Sequence, residues 1–125
     1  MYVHPQTPPS ATPLPGIAHS TWAGRAQGLT QLSLWRQSIA PGCSTPPHRH
    51  DCDEIVLCLS GSGELHIAGA VHRFAAGQTI TVPRDVLHRI QVIGEEPLEI
   101  IAVLAASPVA VFLPDEQLLD LPWPN

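Results

Sequence analysis

Four side chains able to bind a metal stand close together in this chain. His48, His50 and Glu54 fall within seven residues, and His88 follows in a second cluster. Turn-forming residues frame them. Gly42, His48, His50, Glu54 and Gly61 read G-x5-H-x-H-x3-E-x6-G, and Gly77, Pro83 and His88 read G-x5-P-x4-H. Imidazole nitrogen and carboxylate oxygen are the donors that hold a borderline divalent ion. Three neutral nitrogens and one anionic oxygen leave one or two positions open in a five- or six-coordinate ion. Open positions distinguish a site that meets a substrate from a closed structural one. The donor set suits Fe, Mn, Ni, Co, Cu or Zn and does not choose among them.

Such a set needs strands to position it. Residues i and i+2 of a strand point to one face, so His48 and His50 can approach one ion from the same side. The turn Asp51-Cys52-Asp53 brings Glu54 back beside them, and His88 closes the site from an opposite sheet. Arg49, between two inward ligands, is expected to point away. The rest of the chain has the punctuation of an all-β protein. Fourteen prolines and nine glycines leave no room for long helices. Segments 29–39, 54–59, 64–68, 71–74, 79–82, 88–93 and 98–105 read as strands, and the apolar run 54–59 suggests burial on both faces. Gly69-Ala70 marks a hairpin. Eight to ten strands in one domain mean a sandwich or closed barrel.

Three regions follow: a Pro-rich N-terminal arm over 1–16, a barrel over 17–106, and a tail over 107–125 that packs on the barrel or on a partner subunit. Within the barrel, 17–29 reads as a short edge strand and turn; within the tail, 115–121 reads as one helical turn. A chain of 125 residues makes one domain. The net charge of −5 argues against nucleic acid. No apolar run is long enough to span a membrane. The first sixteen residues do not resemble a signal peptide, so the expected compartment is the cytoplasm. Cys43, Cys52 and Cys58 then read as free thiols, with Cys52 a small loop residue rather than a ligand.

The two clusters resemble the two motifs of the cupin superfamily. Gly42, His48, His50, Glu54 and Gly61 fill every signature position of the first motif. In the second, Gly77, Pro83 and His88 match, while Asp85 stands where the family usually has Gly and Val92 where it often has Asn. The resemblance implies an all-β, double-stranded β-helix or jelly-roll barrel, a homodimer, and one divalent metal on His48, His50, Glu54 and His88. It implies a metal-dependent enzyme acting on a chelating, oxygen-rich small molecule by dioxygenase, isomerase or lyase chemistry, with Glu54 as both ligand and proton acceptor. The alternative is a non-catalytic barrel that binds or senses a small ligand through its metal. Asp85 is read as a turn residue that could also support His88. Arg36 reaches a substrate only if its strand turns that face inward; the outward reading is favoured.

Overall fold

In the computed structural model, which describes residues 2–125, nine strands form two antiparallel sheets. They are β1 (Ser10–Ala11), β2 (Ile17–Ala23), β3 (Ser33–Ile39), β4 (Glu54–Ser60), β5 (Ser62–Ile67), β6 (Ala70–Ala75), β7 (Thr79–Val82), β8 (His88–Ile93) and β9 (Leu98–Leu104). The large sheet runs β1-β2-β3-β9-β4-β7 and the small one β6-β5-β8. This is the all-β jelly-roll barrel expected. Among the described residues the only helical element is the 3-10 turn Arg25–Gln27.

Alternation fixes which side chains enter the barrel. In β3, Ser33, Trp35, Gln37 and Ile39 are buried; in β9, Leu98, Ile100, Ala102 and Leu104 are. Register then builds inward rows across the sheet: Trp35 opposite Ala102 opposite Val56, and Ser33 opposite Leu104 opposite Glu54. Ile39, Leu98 and Leu104 are completely buried, and truncating such a residue to Ala costs about 2–5 kcal/mol. β8 faces this sheet with His88, Ile90 and Val92 buried. Glu54 and His88 thus enter the interior from opposite sheets.

Several expectations change. The strand expected over 29–39 begins at Ser33, and Leu29 and Leu32 are exposed. The segment expected to hold a short edge strand gives the seven-residue β2, lying inside β1. The apolar run in β4 is buried on one face only: Glu54, Val56 and Cys58 point in, while Ile55, Leu57 and Leu59 are exposed on the outer face of the single chain. No helical turn forms over 115–121. Leu113 N–H donates to Gln117 O, Glu116 N–H to Leu113 O, and Phe112 bridges Leu118, which makes a small hairpin. Glu116, at φ 68, supplies the left-handed residue that this reversal needs.

Candidate metal centre

His48 and His50 lie outside the regular strands. Pro46 and Pro47 precede them and lack the N–H groups a ladder requires, so pairing is reduced to isolated bridges from His48 to His88 and from Arg49 to Phe112. Alternation survives in this extended segment. The His48 and His88 backbones exchange both hydrogen bonds, N to O 3.0 and 2.9 Å, which clamps the first cluster to the second. One nitrogen from each of His48, His50 and His88 lies within 4.8 Å of the others. Glu54 joins through two of them, with Oε1 3.6 Å from His50 Nε2 and 3.4 Å from His88 Nε2.

The other ring nitrogens are all engaged in the same way. His48 Nδ1 donates to Pro46 O at 2.7 Å, His50 Nδ1 to Ala110 O at 2.9 Å, and His88 Nδ1 to Val86 O at 3.0 Å. A carbonyl oxygen only accepts, so each Nδ1 carries a proton, and in the neutral form of each ring Nε2 presents a lone pair. Backbone carbonyls at this position are a usual support for metal-binding imidazoles. Burial and the adjacent His88 and His50 rings lower the His48 pKa from 6.5 to about 4, which keeps that ring neutral. Burial alone would raise the Glu54 pKa, but hydrogen bonding from His88 and the positive charge of the imidazoles, when the rings carry a second proton, hold it below the ordinary value. Glu54 Oε1 is buried with no hydrogen-bond donor. An anionic oxygen facing bare imidazole lone pairs is repulsive until a cation or proton comes between them. This donor set therefore fits a divalent metal held by His48, His50, His88 and Glu54.

Above the four side chains is a cavity of about 60 Å³. Its walls come from the barrel (Ile17, Trp35, Gln37, Val56, Ile100) and from a tail segment bearing Val111, Leu119, Leu121 and Trp123. That segment crosses the barrel mouth, burying Val109 and Val111. The only titratable side chains among the lining residues are the four just described. Sequence reasoning missed this wall. Its alternation is too short to stand out among four prolines, Pro108, Pro114, Pro122 and Pro124.

Other singled-out residues lie elsewhere. Asp85 does not support His88: its carboxylate accepts from Arg49 and Arg84, its N–H donates to His50 O at 2.8 Å, and it takes φ 66 in the turn where the family motif has Gly. Arg36 is on the outer face and pairs with Glu99 Oε1 at 2.6 Å. Cys52 is buried outside the three-imidazole group, and burial raises its thiol pKa. Glu64 pairs with Arg73 at 3.6 Å. His19, assigned no role from sequence, is buried. It stacks on Trp123 at 3.9 Å between ring centres, accepts from Gln37 Nε2 at its Nδ1 (3.1 Å), and contacts Thr21 Oγ1 through Nε2 at 2.7 Å.

Comparisons with known proteins agree with this architecture. Auxin-binding protein 1 of Arabidopsis thaliana is 33% identical over 109 residues, 79% of this chain and 55% of that protein. Auxin-binding protein T85 of Nicotiana tabacum is 34% identical over 113 residues, 81% of this chain and 60% of that one. The chain thus spans a little over half the length of these curated relatives. A solved oxalate oxidase superposes with a TM-score of 0.76 at 23% identity, covering 87% of this chain and 61% of that one. The family described as Cupin domain matches residues 35–104, the stretch that carries all four converging side chains. On that match, with the two-sheet barrel around it, the chain belongs to the cupin family.

Proposed function

We propose that this protein binds a small organic carboxylate through a divalent metal held by His48, His50, Glu54 and His88. The observation that carries this reading is the convergence of three imidazoles, each anchored through Nδ1, and a carboxylate oxygen without a hydrogen-bond partner, on a cavity whose walls are otherwise mostly apolar. When bound, a divalent ion would supply Lewis-acid attraction for a ligand oxygen. The chain's own residues do the rest. Ile17, Trp35, Ile100 and the tail exclude water from the ligand's apolar part, and Gln37 offers an amide at the wall. The relatives named for binding auxin support a binding role of this kind.

Size narrows the ligand. An engineered apolar cavity of about 150 Å³ accommodates benzene. The cavity here is about 60 Å³, smaller than that, which favours a compact carboxylate. A second reading, that the bound molecule is also transformed, is favoured by Glu54: its Oε1 accepts no hydrogen bond and is free to take a proton. Oxygenation, isomerisation and lyase chemistry all belong to that reading. The exposed outer face of β4, with Ile55, Leu57 and Leu59, supports a homodimer packed through the large sheet. Leu57→Glu would then yield monomer in light scattering.

The test is calorimetry of cobalt-loaded and metal-free protein with oxalate and with indole-3-acetate, followed by product analysis. Metal-dependent binding without turnover supports the binding reading, and metal-dependent turnover that is lost in Glu54→Gln even at saturating cobalt supports the catalytic one. Binding that ignores the metal would overturn both.

A further inference from the structure

Arg49 stands between two converging imidazoles yet faces away from them. Its guanidinium carbon lies 4.3 Å from the centre of the Phe112 ring. Nη1 donates to Asp85 Oδ1 at 2.9 Å, and Nη2 donates to the Glu116 carboxylate. Its backbone exchanges two hydrogen bonds with Phe112, each 2.9 Å. One residue thus joins three segments: the stretch carrying His48 and His50, the turn before His88, and the small hairpin of the tail. His50 is held by two of them. Its Nδ1 donates to Ala110 O, two residues before Phe112, and its carbonyl accepts from Asp85 N–H.

We propose that Arg49 is a positioning residue, a latch that keeps the tail over the cavity and, through the Ala110 carbonyl, holds His50 in its Nδ1-protonated form. The role rests on reading the four converging side chains as a metal centre. The residue type suits it. A planar guanidinium serves two carboxylates at once while lying flat on an aromatic ring, whereas an ammonium acts as a single point charge. Removing the charge leaves Glu116 without its partner and Asp85 with Arg84 alone, so the attraction that draws the small hairpin onto the turn before His88 is lost. Glu116 is largely exposed, so the latch adds little to global stability. Its effect is concentrated where the tail meets His50.

The experiment compares Arg49→Met, Arg49→Lys and the wild type. Three quantities are read: the tautomer of His50 in the metal-free protein by nitrogen NMR, hydrogen exchange at the Leu119 amide that donates to Val111 O, and cobalt affinity by chelator competition. In Arg49→Met we expect a second His50 tautomer, exchange at Leu119 roughly tenfold faster, and cobalt binding roughly tenfold weaker, the range typical of supports to metal-binding imidazoles. The melting temperature should stay near that of the wild type, and Arg49→Lys should recover part of each effect. Wild-type tautomer, exchange and affinity in Arg49→Met would overturn the proposal. Should the wild type take no cobalt, the metal reading fails on its own, and the tautomer and exchange data still decide on the latch. Should Arg49→Met not fold, Glu116→Gln weakens the same seam from an exposed position and is read identically.

Discussion

His50 Nδ1 donates to the carbonyl oxygen of Ala110 at 2.9 Å, across 60 residues of sequence. The tail therefore fixes the orientation of one of the three converging imidazoles as well as covering the cavity. His48 and His88 take the same support from Pro46 and Val86, each two residues upstream. Two of the three rings are set by local chain geometry, and the third depends on a distant segment.

Single-ligand removal should be decisive for the site. His48→Ala and His88→Ala each delete a direct bond to the ion, so affinity should fall by more than the ~100-fold seen for loss of a supporting group. Elemental analysis should find about one equivalent of transition metal per chain in the wild type and little in either variant. Stoichiometric metal in His48→Ala/His88→Ala would sink the assignment. Adding metal should also raise the wild type's melting temperature. At a hundred times the dissociation constant, binding to the native state alone adds about 2.7 kcal/mol.

Glu54→Gln should separate stability from metal binding. In the metal-free protein Glu54 Oε1 is buried without a donor and faces two imidazole nitrogens. A carboxamide of the same shape presents N–H groups to those nitrogens and relieves the conflict, a gain of about 1–2 kcal/mol. The variant should melt higher than the metal-free wild type yet bind cobalt more weakly, having lost its only anionic donor. A metal-free variant that melts lower would show that Glu54 is already satisfied without an ion.

Much of this was legible in the residues. Types and offsets of His48, His50, Glu54 and His88 picked out the side chains that converge, because strand alternation and tight turns translate spacing into facing. The hairpin expected at Gly69-Ala70 forms one residue earlier: Ala68 and Gly69 make the turn at positive φ, and Ala70 already belongs to β6. That the tail packs on the barrel was expected, but its place in the cavity wall was not legible. Val109 and Val111, then Leu121 and Trp123, alternate over too few residues between prolines to stand out. The exposure of Ile55, Leu57 and Leu59 was also hidden, because an apolar run looks the same whether its outer face is covered by the same chain or left open.

Acid sensitivity should reflect His19. Burial lowers its pKa from 6.5 to about 4 in the folded protein. An unfolded chain takes up this proton near pH 6.5, the native one only near pH 4. The neutral ring's contribution is thus complete above pH 6.5, declines as pH falls toward 4, and levels off below that. At ~1.4 kcal/mol per pKa unit, the loss attributable to His19 is roughly 3 kcal/mol. Urea midpoints of the wild type and His19→Gln, taken from pH 7 to pH 4, should converge as the pH drops. Parallel curves would show that His19 titrates normally in the native state.

Gly61 and Gly77 both belong to the motif framework and both take positive φ, 83° and 86°, but they should not be equally replaceable. A Cβ on Gly77 meets nothing within 4 Å, so Gly77→Ala carries only the backbone penalty of about 1–2 kcal/mol. A Cβ on Gly61 would sit 2.4 Å from the carbonyl oxygen of Pro97 and 3.1 Å from Leu98 Cα, both backbone atoms that cannot turn aside. Gly61 is where β4 turns into β5 beside the start of β9, and relieving that clash means moving β9, whose Leu98 is completely buried. Gly61→Ala should therefore cost well beyond the backbone penalty, on the order of 4 kcal/mol or more. Chemical denaturation of the two variants compares them directly, and equal losses would mean that the packing at Pro97 is looser than these distances require.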